Sequence, residues 1–365
     1  MKINRSRVLV VSALALASAQ AFADGPSFYA LVDGGIASSS ITGAGTTASK
    51  SEFVTGGVVP TFAGLKFEKT DSGITYGVQV EQGFTLNSPS GSFYSFGNGD
   101  LLNRQKNFYI SSGAGKFVFG VQGNIAFGNV LMADPRGGSN FGSSLAMIDA
   151  NGGLNTVDNA SLSYTSPSMS GFTVAAQYVP ESSTASADVK TGSRAAIGYS
   201  SGNLTLGLST YTSQINNTVN LTTCVTPGCV NKDSTGTILG FNYKMGVFTL
   251  KGISASQTNT TFTSALTTNG VGGSYTLSDK VSFDLGYYNA TSSVKSFKVD
   301  TTALGAYYSL GKDLKVYGQY AVVDNKGGTG ADSAWNFAGP TIITGTITPG
   351  QKAEVMNVGL IFSYF

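Results

Sequence analysis

Histidine is absent from all 365 residues of this chain. The commonest general base and the commonest metal ligand of proteins are therefore missing. A Ser-His catalytic pair cannot be built, and we find no paired carboxylates suited to acid-only catalysis. The sequence therefore predicts no enzyme, no metal site and no cofactor.

Charged side chains are scarce, since they make up 12% of the chain while 48 residues are glycine. A soluble chain of this size usually carries about twice that share of charge. The 22 basic and 20 acidic residues nearly balance, which argues against a nucleic-acid partner attracted by bulk charge. Something other than a charged surface must keep the chain dispersed, and lipid is the natural candidate.

Long apolar runs are missing everywhere except at the N-terminus. Lys2, Arg5 and Arg7 form a basic start, an apolar run follows from Val8 to Ala17, and Ala21-Phe22-Ala23 is a small-x-small cleavage site. The run has about half of the roughly 20 residues that a spanning helix needs. We therefore predict a cleaved signal peptide at residues 1–23 and a single exported domain at 24–365.

Only two cysteines occur, and both lie in one short segment. Pro227-Gly228 can form a tight turn between Cys224 and Cys229. In an exported protein this spacing predicts a disulfide at a loop tip, with free thiols or metal ligation as alternatives. Closing so short a loop would contribute about 2 kcal/mol at most.

Short stretches with a period of two fill the rest of the sequence. Phe172, Val174, Ala176 and Tyr178, for example, alternate with smaller or polar residues, and this spacing is typical of strands. Many stretches carry tyrosines near their ends, as the interfacial girdles of a membrane barrel do, although tyrosine also favours strands in general. The pattern alone fits either a soluble sandwich or a membrane barrel.

The links between these stretches decide for the barrel, because short and long links alternate. Tight turns on one rim and long loops on the other are typical of outer-membrane barrels. The long links include roughly 85–101, 125–157, 214–235 and 323–351. We predict an all-β fold, a transmembrane antiparallel β-barrel with short periplasmic turns and long extracellular loops. We count 16 strands, with 14 or 18 as alternatives, at 27–37, 52–69, 74–84, 102–112, 116–124, 158–166, 171–179, 194–201, 204–213, 237–244, 247–257, 270–277, 280–291, 301–310, 314–323 and 353–365.

Several segments resemble the general porins of β-proteobacteria, the trimeric family of Neisseria and Burkholderia relatives. The segments are Gly64-Leu65-Lys66 to Glu81-Gln82-Gly83-Phe84, Asn103-Arg104-Gln105, Val157-Asp158-Asn159, Tyr164-Thr165-Ser166-Pro167, Ser170-Gly171-Phe172 and Val358-Gly359-Leu360 to Phe365. The resemblance implies a 16-stranded homotrimer in which the long third loop, about Ile125 to Val157, narrows the lumen.

The resemblance also suggests which charges set selectivity, since basic wall residues oppose acidic loop residues at such a constriction. The candidate residues are Arg104, Lys66, Asp134, Arg136, Asp149 and Asp158. Each could instead be a solvated loop or rim charge, and the strand parity of Arg104 leaves its facing ambiguous. Phe62, Val121 and Thr156 stand where the family often has arginine. We therefore expect weak selectivity, neutral or mildly for cations.

These observations predict an outer-membrane porin for passive diffusion of ions and small hydrophilic solutes, in contact with outer-membrane lipid. Glycines near Gly34-Gly35 and Gly56-Gly57 could let three barrels pack closely through their early strands and the last strand, or could only let the strands bend. The alternative function is a plugged barrel that acts as an adhesin or surface-binding protein.

Overall fold

The computed structural model describes most of the predicted domain. The described residues are 25–87, 102–152, 154, 156–181, 189–215, 232–259, 264–292, 297–327, 335–336 and 346–365. The predicted signal peptide, Cys224 and Cys229 lie outside the described residues, so the cleavage site and the disulfide stay predictions.

One large antiparallel sheet accounts for most of these residues. Its segments are β1 (Gly25–Gly43), β2 (Thr46–Thr55), β3 (Phe62–Asp71), β4 (Ile74–Gly83), β5 (Lys106–Ser112), β6 (Gly115–Gly123), β7 (Val157–Thr165), β8 (Phe172–Val179), β9 (Val189–Ser201), β10 (Leu204–Ile215), β11 (Lys232–Met245), β12 (Phe248–Asn259), β13 (Ser264–Thr276), β14 (Val281–Ser292), β15 (Phe297–Ser309), β16 (Leu314–Asn325) and β19 (Lys352–Tyr364). Two-residue strands β17 (Trp335–Asn336) and β18 (Thr346–Ile347) pair with each other in the last long link.

The sheet closes on itself, because β1 pairs with β19 as well as with β2 and β3. Segments β2 and β3 are two parts of one interrupted strand, so the barrel has sixteen strands, as predicted. Closure gives every strand two neighbours, so no edge is left unpaired, which is the requirement for crossing a bilayer with strands.

The two faces of each strand differ in the way that the alternation predicts. On β19, Met356, Val358, Leu360 and Phe362 are exposed on the outer surface, while the residues between them are buried on the inside. An outer apolar band and a more polar inner wall are typical of a barrel whose outside faces lipid.

The first hairpin is longer than predicted, because the first strand continues past residue 37 to Gly43. Ser38 pairs with Ser51 in register, and the chain reverses at Ala44 and Gly45, both with positive φ. Small polar residues hid this extension, since they lack apolar alternation. Antiparallel pairing needs no apolar face where strands rise above the membrane.

The second strand, predicted as continuous over 52–69, is broken between Thr55 and Phe62. The buried carboxylate of Asp33 accepts hydrogen bonds from the backbone N–H groups of Val58 (2.6 Å) and Val59 (2.9 Å). The Thr61 hydroxyl accepts from the Asp33 N–H at 2.9 Å. These bonds draw residues 56–61 out of the strand pairing and towards the inside of the barrel.

The long third loop contains two nine-residue helices, α1 (Ile125–Ala133) and α2 (Ser144–Gly152). Asn124 caps α1, since its side chain accepts from the N–H of Ala126 at 2.9 Å. Within the described residues, no helix has the length and apolar character to cross a membrane.

Candidate functional site

Helix α1 lies inside the barrel, packed on the inner wall formed by β10, β11 and β12. Ala126, Val130 and Ala133 form one buried cluster with the wall residues Tyr211, Ile238, Ile253 and Ala255. At Gly240 the contact is so close that a Cβ atom would collide with the side chain of Ala133. The inward folding of this loop, which the resemblance implied, is what the structure shows.

Asp134 ends α1 and holds the turn that follows it. Its buried carboxylate accepts from the N–H groups of Arg136 (2.8 Å), Gly138 (2.9 Å) and Ser144 (2.8 Å). The hydroxyl of Ser144 also donates to it at 2.5 Å. This carboxylate therefore organises the loop. The resemblance suggested a charge exposed to the lumen here, but the carboxylate is buried in the loop.

Arg136 ties the same turn to the far wall. Its guanidinium forms a 2.7 Å ion pair with Asp284 on β14 and donates to Gln319 on β16 at 2.7 Å. A further bond goes to the carbonyl of Phe141 in its own loop. Burial disfavours its charge, but Asp284, Tyr307 and Tyr288 together outweigh burial and raise the pKa of Arg136 above its ordinary value. Arg136 is thus a permanent anchor of the loop.

The next turn of the loop is bound to the break in the second strand. Asn140 donates from its side chain to the carbonyl of Gly56 at 2.9 Å and from its backbone to that of Val58 at 3.1 Å. Gln319 donates to the carbonyl of Gly57 at 2.8 Å. The inward segment 56–61 therefore forms part of the surface to which the loop is hydrogen-bonded.

Arg104 lies on the inner side of the opposite wall, which resolves the ambiguity of its parity. Strand β5 begins at Lys106 rather than at 102, so Arg104 does not follow the strand's alternation. Its guanidinium bonds to Glu81 at 3.2 Å and covers the ring of Phe62, with 4.5 Å between guanidinium carbon and ring centroid. Tyr29 and Gln105 also donate to Glu81, each at 3.0 Å.

Lys66 faces the lumen nearer the short-turn rim, where two lysines share one tyrosine. Lys66 forms a 2.6 Å ion pair with Glu68, and Tyr109 donates to Glu68 at 2.5 Å. The ammonium groups of Lys66 and Lys116 lie 5.5 and 4.7 Å from the centroid of the Tyr109 ring. Both ammonium groups therefore lie near one tyrosine ring, and only that of Lys66 is paired with Glu68.

The last two candidate charges have different surroundings. Asp158 is fully buried on β7 and forms an ion pair with Arg194 on β9, with contacts of 2.7 and 3.1 Å. Asp149 lies within α2, and its side chain is not among those described. Neither residue supplies a described unpaired charge to the lumen.

Sequence reasoning missed the partners of these candidates, Glu81, Asp284 and Arg194. A weak signal existed, because Asp284 stands between Phe283 and Leu285 within an alternating strand. Such a charge must point away from lipid. What the sequence could not supply is the cation that it meets, since Arg136 is 148 residues away.

The balance of unpaired charge in the lumen is positive among the described residues. Lys116, Lys244 and Lys315 occupy inward-facing, accessible positions of the wall strands, and no ion pair is described for any of them. Lys251 also faces inward without a described ion pair, but its side chain is buried. Asp33 and Asp134 are inward carboxylates that also lack an ion-pair partner in the described chain. Both are fully buried and accept hydrogen bonds from backbone N–H groups.

A closed sixteen-stranded barrel with an apolar outside, a charged inside and an inward-folded loop defines a transmembrane channel of the outer-membrane type. A family model described as Gram-negative porin matches residues 9–328. The chain therefore belongs to the Gram-negative porin family and forms an outer-membrane channel for passive diffusion. No curated protein matches it closely enough to count as a relative.

Solved structures share the fold at low sequence identity. An anion-selective porin from Comamonas acidovorans has a TM-score of 0.75 at 18% identity, over 93% of this chain and 99% of that chain. The trimer form of OmpT, an outer membrane protein of Vibrio cholerae, has a TM-score of 0.66 at 16% identity, over 93% and 99%. Salmonella typhi OmpF in complex with daunomycin has a TM-score of 0.62 at 13% identity, over 93% and 97%.

Proposed function

We propose that this channel passes ions and small hydrophilic solutes with a preference for anions. The observation that carries the proposal is the set of three accessible lumen lysines without an ion-pair partner in the described residues, Lys116, Lys244 and Lys315. Unpaired charges of one sign along a narrow lumen raise the local concentration of ions of the opposite sign.

This proposal reverses the weak cation preference expected from the sequence. That expectation required loop carboxylates with an unpaired charge facing the lumen. Asp158 is neutralised by Arg194, and Asp134 is buried in hydrogen bonds of its own loop. The anion-selective character of the Comamonas acidovorans porin, which has the same fold, agrees with the proposed sign.

Lys244 and Lys315 are the best residues for a test, because both lie near the short-turn rim and neither anchors the loop. The double change Lys244→Ser and Lys315→Ser should move the zero-current potential in a salt gradient towards cations, by several-fold in permeability ratio. Lys312→Ser is the matched control, since Lys312 lies in a turn outside the lumen with its side chain 91% exposed. A cation-selective wild type would refute the proposal, and absence of any channel would favour the plugged barrel.

The assembly that we propose is a homotrimer built through β1, β2 and β19. Ile36 and Phe53 are exposed on the outer surface of this wall, and OmpT of Vibrio cholerae, which has the same fold, has a trimer form. The glycines do not add support, because Cβ atoms at Gly35 and Gly57 would meet Val358 and Asn357 of the same barrel. Monomer mass in native mass spectrometry would count against the trimer.

Export through a signal peptide cleaved after Ala23 is the remaining part of the proposal, with residues 24–365 as the mature domain. Its support is the basic, apolar and small-residue order of the first 23 residues. N-terminal sequencing of protein extracted from outer membranes should begin at Asp24, and a retained Met1 would contradict it.

A further inference from the structure

A pit interrupts the lipid-facing surface of the barrel near the short-turn rim. Its floor is Gly273 on β13, and Leu250 and Leu285 stand opposite that glycine on the two neighbouring strands. Phe248, Tyr275 and Phe283 lie on the same face, two residues nearer the rim. The space measures about 360 Å³, and these residues together form what we name the β13 pit.

No side chain can replace the glycines at the floor of the pit, because the backbones of the neighbouring strands lie too close to them. A Cβ atom at Gly273 would collide with the carbonyl oxygen of Thr249 on β12. The preceding Gly272 has a φ of +154°, and its Cβ would collide with the carbonyl of Leu285 on β14. At these two glycines the backbone of β13 lies close to the backbones of β12 and β14. The depression is therefore a fixed feature of the wall.

The walls of the pit are apolar and aromatic. The rings of Phe248 and Tyr275 stack with 4.8 Å between centroids, and Leu285 is exposed towards lipid. In the bilayer, only hydrocarbon can cover such a surface without cost, so the occupant has an acyl chain. Because the pit lies at the short-turn end of the strands, the leaflet that supplies this chain is the periplasmic one.

A cation stands at the rim directly below the pit. Lys280 lies exposed in the turn that joins β13 to β14, and no ion pair is described for it. Lipid headgroups meet the protein at this level, and a lysine there attracts an anionic phosphate. Asp279 is next to Lys280 in the same turn and should weaken that attraction.

We propose that the β13 pit binds one acyl chain of an anionic phospholipid of the periplasmic leaflet, with Lys280 contacting its phosphate. This site lies on the outside of the barrel and does not depend on the selectivity of the lumen. The bound acyl chain would fill the space on the outer surface that the missing side chain of Gly273 leaves open.

Tryptophan quenching by brominated phospholipids tests the site, because the chain has a single tryptophan. In a Trp335→Phe background, Val271→Trp places a reporter on the outer face of β13, two residues from Gly273. Leu208→Trp is the matched control, since it lies at a similar height on β10 between Ile197 and Leu239. The vesicles would contain phosphatidylglycerol and phosphatidylethanolamine. The acyl chains of one lipid carry bromine in one set of vesicles, and those of the other lipid carry it in a second set.

We expect phosphatidylglycerol to be favoured about fivefold at Val271→Trp and not at Leu208→Trp, the effect of one lysine near an anionic lipid. Lys280→Ser should abolish the preference, and Asp279→Ser should increase it. Leu285→Phe, which fills the pit, should reduce quenching at the first reporter only. Equal preference at both reporters, or a preference that survives Lys280→Ser, would overturn the proposal. Circular dichroism checks that each variant is folded, and conductance is not part of the readout.

Discussion

At the residue scale, the inner surface of this barrel is organised by ion pairs between distant parts of the chain. Arg136 meets Asp284, Arg194 meets Asp158, and Arg104 meets Glu81. A buried pair of this kind contributes little net stability, but losing one partner leaves a charge uncompensated. The pair of Arg136 and Asp284 therefore specifies where the loop sits more than it stabilises the fold.

The pair of Arg136 and Asp284 gives the first residue-level prediction. Arg136→Met should lower the free energy of unfolding by about 3–5 kcal/mol, because Asp284 would be left buried without a cation. Adding Asp284→Leu to Arg136→Met should recover most of that loss. Denaturant unfolding of the detergent-refolded barrel measures both, with Lys312→Met as an exposed control expected to change stability by less than about 0.5 kcal/mol. Additive losses in the double variant would contradict this account.

At the element scale, the loop that carries α1 and α2 is held at separate places along the wall. Helix α1 packs on β10, β11 and β12 through small residues, while Arg136 and Asn140 bond to β14, β16 and the broken second strand. Ile347 of β18 is buried with Phe141 and Met147, so the last long link also reaches this loop. The loop is thus positioned by contacts along its whole length.

Close packing of α1 on the wall predicts the effect of one added methyl group. Gly240→Ala should push Ala133 and α1 away from β11, lowering stability by about 1–3 kcal/mol because the contact is overpacked. Single-channel conductance should change with it, since α1 would shift into the lumen. Gly198→Ala is the matched control, an inward glycine of β9 where an added Cβ would make only an ordinary contact, 3.8 Å from the carbonyl oxygen of Leu206. Equal thermal midpoints and equal conductance for the two variants would show that α1 is not seated as described.

The sequence predicted elements well where neighbouring strands alone determine them. Alternation set the strand positions and alternating link lengths set the topology, because both depend on lipid outside and short turns at one rim. The break at residues 56–61 was missed, since its cause is Asp33, more than twenty residues away. The resemblance suggests a lumen charge at Asp134, yet Asp134-Pro135-Arg136-Gly137-Gly138 has the composition of a turn whose aspartate accepts hydrogen bonds from backbone N–H groups.

At the scale of the whole molecule, the unpaired charges of the inner wall change along the barrel axis. Inward carboxylates are paired or buried, whereas three accessible lysines without ion-pair partners in the described chain, Lys116, Lys244 and Lys315, lie towards the short-turn rim. An anion entering from that rim would meet attraction before it reaches the inward-folded loop that carries α1. A cation would find no described carboxylate with an unpaired, exposed charge along the same path.

This charge pattern predicts how selectivity depends on salt. The field of a lumen lysine reaches about 10 Å at 0.1 M salt and about 3 Å at 1 M. The ratio of anion to cation permeability should therefore be largest in dilute salt and fall towards the ratio of bulk mobilities near 1 M. Zero-current potentials at a fixed concentration ratio, taken across this range, measure the change. The Lys244→Ser and Lys315→Ser double variant should show a flatter dependence, because fewer charges remain to be screened. A wild-type ratio that stays constant from dilute to concentrated salt would mean that size or short-range contact at the constriction, and not the lysines, selects the ion.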